Sequence, residues 1–182
     1  MPVPTPEIAG LGLIGFSTNC LMVAMNLLGV EKKEPEKIAP GWGWAHVFTG
    51  ALMLLTGLSV YITNAMGVAE ISGYVGIALS YYAFYWMFLG TILVRAHDLR
   101  PIAQISIPYA ITTLWFIAGS IRLGLVSLTI LLAILVLVFL FLWPATHGSA
   151  AFVKINAILI IIMAILGFYI AFGLIYPKYT LF

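Results

Sequence analysis

The chain has 182 residues, a formal charge of +2, 63% hydrophobic and only 8% charged residues, and a mean hydropathy of +1.13. Soluble domains carry charge on roughly a quarter of their residues, so this composition excludes one and marks an integral protein of the lipid bilayer. The small, scattered charge also excludes a nucleic-acid surface, and the single cysteine, Cys20, excludes an intrachain disulfide and a cysteine-type metal site.

A helix crosses the hydrocarbon core with about 20 apolar residues. Six segments meet that length: 8–30, 42–66, 73–94, 102–121, 125–143 and 150–175. Residues 1–182 therefore read as a single all-α domain, one six-helix transmembrane bundle joined by short loops. The opening MPVPTPEIAG has no basic stretch before its apolar run, which predicts a retained helix and not a cleaved signal.

In the first helix Phe16, Asn19, Val23 and Asn26 recur at helical spacing on one face. Lipid offers their two amides no partner, so they either lock a neighbouring helix or line a polar path. The loop EKKEPEKIAPG is nearly charge-balanced and reads as a solvated connector, with Pro35 and Pro40 keeping it from continuing helix 1. The second helix sets Trp42, His46, Thr49 and Met53 on one face. His46 is the only histidine well inside a span, and such an imidazole could gate by protonation, ligate haem or metal, or bond a carbonyl. His97 and His147 lie near loops at a spacing that matches no ligand motif, so no cofactor or metal is expected.

Helix 3 carries the densest signal, residues 76–101, GIALSYYAFYWMFLGTILVRAHDLRP. Tyr81 and Tyr85, and Tyr82 and Trp86, form two stripes at mid-span, whereas lipid-facing aromatics collect at the interfaces. The cluster is predicted to face the interior. Helix 4 adds Tyr109, Thr112, Thr113 and Trp115 around a kinking Pro108, although a threonine there can simply bond its own i−4 carbonyl. Helix 5, SLTILLAILVLVFLFLW, is featureless and reads as scaffold or lipid-facing, with Pro144 ending it. Helix 6 contributes Asn156 and Tyr169. Gly12 with Gly15, and Gly167 with Ala171, allow close helix contact.

Lys32, Lys33, Lys37, Arg95, Arg100 and Lys154 fall on one side of the bundle, and Arg122 and Lys178 on the other. Positive charge accumulates on the cytoplasmic side, so both termini are predicted outside. No acidic residue lies deep in a span, and no nucleophile–base pair or phosphate loop occurs, so the chain is not expected to be an enzyme.

The exit Asp98-Leu99-Arg100-Pro101, Phe48-Thr49-Gly50-Ala51-Leu52, the run Tyr81 to Tyr85, and Ser106 with Ala110-Ile111 resemble the AmiS/UreI amide and urea channels. A second resemblance is to the SatP/YaaH acetate uptake family. It is carried by Thr5-Pro6 before Leu11-Gly12-Leu13-Ile14-Gly15-Phe16, by the run from Tyr81 to Trp86, and by TLWFIAGSIR at residues 113–122. Both resemblances imply a homo-hexamer with one pore per protomer, and the second implies Phe16 as a constriction. The expectation is a channel for a small-molecule solute such as urea, a short amide or acetate. Its pore-lining candidates are Phe16, Asn19, Asn26, His46, Tyr81, Tyr82, Tyr85, Trp86, Thr112 and Thr113. The alternatives are a non-transporting hydrophobic subunit of a larger complex, or a haem or quinone anchor using His46.

Overall fold

The computed structural model describes residues 4–30, 35–95 and 98–176; Lys32, Lys33, His97 and Lys178 lie outside the described residues. Six helices follow in order: α1 Glu7–Leu28, α2 Pro35–Thr63, α3 Ala69–Arg95, α4 Arg100–Arg122, α5 Val126–Thr146 and α6 Ala150–Ile175. At 1.5 Å per residue, each is long and apolar enough to cross a membrane. No strand occurs among the described residues.

Helix α1 ends at Leu28, and the extent of the connector after it and the stop at Pro144 need correction. Helix α2 begins at Pro35 and runs through Pro40, well ahead of residue 42. Proline at a first helical position has no N–H to lose, and Pro40 sits so near the start that it removes a single bond. Helix α5 likewise continues through Pro144 to Thr146, whose hydroxyl donates to the Leu142 carbonyl at 2.9 Å and holds the last turn.

Closest packing joins α2 to α3 and α1 to α6, and further contacts join α4 to α5, α5 to α6 and α1 to α2. The helices thus form a ring in the order α3, α2, α1, α6, α5, α4. Its tightest seam and its loosest are held by opposite chemistry. Along α2, Gly43, Gly50 and Gly57 recur every seven residues, and along α3 they oppose Gly90, Ala83 and Gly76. A Cβ added at Gly43 would come within 2.6 Å of the Gly90 carbonyl oxygen, and one at Gly57 within 2.7 Å of the Gly76 oxygen. The two backbones touch because these side chains are missing.

Helices α3 and α4, by contrast, approach little along their backbones. Tyrosines bridge them. Thr113 Oγ1 donates to the Tyr109 carbonyl at 2.6 Å, so Tyr82 O–H donates to Thr113 Oγ1 at 2.9 Å. By the same proton count Tyr85 O–H donates to Ser106 Oγ at 3.1 Å, because Ser106 donates to the Ile102 carbonyl at 2.7 Å. Tyr109 O–H donates to the Tyr81 carbonyl at 3.2 Å and Tyr74 O–H to that of Phe116. An exposed Glu70–Arg122 ion pair closes the end of the seam.

At the other end Arg100 holds Asp98 from two nitrogens, with Nη2 2.7 Å from Oδ2. Those bonds hold the Asp98 carboxyl down at about 2. A depressed carboxylate stabilises the fold above its unfolded value, near 4, and loses that contribution as pH falls through about 2. Asp98→Asn should therefore lower the melting temperature slightly at neutral pH, with the gap to the native protein closing in acid. Equal gaps at both ends of the titration would disprove the linkage.

Candidate solute pathway

Among the described residues, two cavities inside the ring stand out. The first, about 200 Å³, is lined by parts of all six helices and reaches toward the α3–α4 connection, Leu99 and Thr146. The second, about 390 Å³, opens toward the start of α5 at Gly124 to Leu128 and the end of α6 at Leu174. Phe16, Tyr82 and Leu135 border both, so these three residues form the neck between them.

Each neck residue is held from behind. Phe16 meets Trp86 edge-on at 5.9 Å, and Tyr82 lies against Phe139 at 6.4 Å with its hydroxyl tied to Thr113. Leu135 is 3% exposed in α5, between Leu131 and Phe139. A locked, apolar neck between two wider chambers is a geometry that sorts by size and by the cost of shedding water.

The ten sequence candidates divide. Phe16, Asn26, His46, Tyr82, Tyr85 and Trp86 line the first cavity. Asn19 lines neither; it is fully buried and binds α2, its Oδ1 lying 2.9 Å from His46 Nδ1 and 2.5 Å from Thr49 Oγ1. Tyr81 stacks on Tyr109 at 4.3 Å behind the wall, and Thr113 receives Tyr82 there. Thr112 donates to its own i−4 carbonyl, Pro108, at 3.0 Å. Tyr81, Thr112 and Thr113 thus line neither cavity. Ring contacts in α3 run between the two expected stripes: Tyr81 meets Tyr82, and Tyr85 meets Trp86, both edge to face.

Helix α5 is the element the sequence reading undervalued. Leu131, Leu132, Leu135, Val138 and Phe139 are buried and wall the cavities. A face is visible from sequence only when the opposite face differs, and here every position from Ile130 to Trp143 is apolar. A tyrosine in the wall of the first cavity gives a smaller test: Tyr85→Phe should cost about 1 kcal/mol by removing the Ser106 bond, read as a modest fall in melting temperature.

No family model matches the chain, and no curated protein matches it by sequence. Among solved structures it is similar to one described as the bacterial acetate channel SatP. The TM-score is 0.68 and the identity 19%, over 97% of this chain and 94% of that one. The six-helix ring of this chain therefore has the fold of that channel.

Proposed function

We propose that this chain is a membrane channel for a small polar solute, acetate-like or a urea or short amide, which passes between the two cavities through the neck. The observation that carries the reading is that one chain encloses both chambers and the three residues separating them. The likeness in fold to an acetate channel supports it. We further propose a homo-hexamer with one path per protomer and both termini outside, which would turn the first cavity toward the cytoplasm. Apolar side chains on the outside of α2, among them Phe48, 68% exposed, and Ile62, 76% exposed, give neighbouring copies or lipid an apolar surface.

Purified protein in liposomes should pass urea, acetamide or acetate faster than empty vesicles in a stopped-flow assay. Rates equal to empty vesicles for all three would remove the channel reading. Native mass spectrometry should find six copies, and a stable monomer would remove the hexamer.

A further inference from the structure

The first cavity contains a polar corner that the neck does not require. His46 on α2 is 2% exposed and lines this cavity, yet its only side-chain hydrogen-bond partner among the described residues is Asn19 on α1. Thr49 Oγ1 lies 2.7 Å from the Ala45 carbonyl and 2.5 Å from Asn19, the latter in the range of O–H···O bonds and short of N–H···O ones, so its one proton goes to the closer Asn19. That spacing puts the amide oxygen, not the nitrogen, toward Thr49 and His46. An amide oxygen only accepts, so His46 Nδ1–H is the donor, and a neutral ring then carries its free lone pair on Nε2. No side chain among the described residues takes that lone pair.

Beside it Trp86 stacks on the imidazole, with ring centroids 5.6 Å apart and planes 15° from parallel. Trp86 lines the same cavity, and its Nε1–H is buried without a partner, as is Asn19 Nδ2. A buried donor left unmet costs about 1–3 kcal/mol, and here one such donor is on Trp86 in the wall, against the His46 ring with its unmet acceptor, while the other is on Asn19 behind His46. Charge is missing from that place. Among the described residues no Lys, Arg, Asp or Glu lines either cavity, so an anion would shed its hydration with no countercharge to replace it.

We infer that this corner is a binding subsite for a small uncharged molecule bearing a donor and an acceptor on one planar group, a primary amide or a protonated short carboxylic acid. His46 Nε2 accepts the molecule's N–H or O–H, and the Trp86 indole N–H is the donor available to its carbonyl oxygen. Asn19 and Thr49 are positioning residues that fix the tautomer. The cavity of about 200 Å³ has room for such a molecule beside water, which takes about 30 Å³ in the liquid. The inference rests on the channel reading for how the molecule arrives, but not for whether it binds.

Binding is therefore measured apart from flux, by saturation-transfer NMR of acetamide on the purified full-length protein in detergent. The native protein should give a signal. His46→Phe keeps a ring against Trp86 but removes the acceptor, and should reduce the signal at least fivefold. His46→Gln, whose amide oxygen can accept, should restore most of it. Trp86→Phe removes only the indole donor and should also weaken it, which keeps the test available if His46→Phe fails to fold. Acetate at about pH 8, where a carboxylic acid is ionised, should give a far weaker signal than acetamide. No acetamide signal from the native protein, an equal signal from His46→Phe, no recovery in a folded His46→Gln, or acetate matching acetamide would each overturn the inference. Binding without flux in liposomes would overturn the channel reading alone.

Discussion

Leu135→Phe is expected to reduce solute flux at least tenfold, and Leu135→Ala to raise it by a similar factor. Leu135 is one of three side chains shared by both cavities, so added volume there has nowhere to go except across the neck. Phe16 is backed by Trp86, and Tyr82 by Phe139 and its bond to Thr113, which keeps them from moving aside. A tenfold change is about 1.4 kcal/mol of barrier, a modest demand on a group that a permeant must slide past. Truncation to alanine also removes buried methyl groups, at about 3 kcal/mol of stability, so flux is compared per folded protein. Stopped-flow rates unchanged in both variants would show that the path does not run through the neck.

Gly90→Val should be the most damaging single change to the fold. A Cβ at Gly90 would lie 2.5 Å from the Gly43 carbonyl oxygen and 2.8 Å from the Val47 nitrogen. Both are backbone atoms of α2 and cannot swing away as a side-chain tip would, so the two helices must separate. Overpacking usually costs about 1–3 kcal/mol, and a clash of backbone against backbone belongs at the upper end. Gly41→Ala supplies the control in the facing helix α2, since a Cβ there meets nothing within 4 Å and replaces a flexible residue by a better helix former. In a detergent melt followed by size-exclusion chromatography, Gly90→Val should fall well below the native protein while Gly41→Ala equals or exceeds it. A normal melt for Gly90→Val would mean that α2 and α3 do not pack through their glycines.

Six apolar runs were legible in the sequence because a bilayer demands one long apolar run per crossing, and each has its helix in the structure. Positions along the helices were less so. The seven-residue repeat of Gly43, Gly50 and Gly57 is plain once α3 lies against it, but a sequence scan favours close pairs such as Gly12 with Gly15. Phe16 was marked by resemblance and Tyr82 by its place in an aromatic cluster, and both border the neck. Leu135 carried no mark at all, one leucine in a run of apolar residues. Asn19 stood on a face with Asn26, yet that face splits: Asn26 reaches the cavity and Asn19 turns to His46. Such a split depends on the register between α1 and α2, which no single helix encodes.

The ring is also uneven in how it resists distortion. Where α2 meets α3, fit depends on absent side chains, and a small separation forfeits contact along the whole ladder. Where α3 meets α4, the connection is a few hydroxyl groups at the ends of long aromatic arms, and such arms can tilt while keeping their bonds. Displacement of the wall should therefore concentrate on α4, which gives no residue to the neck, while Phe16 and Tyr82 keep their places against and on α3.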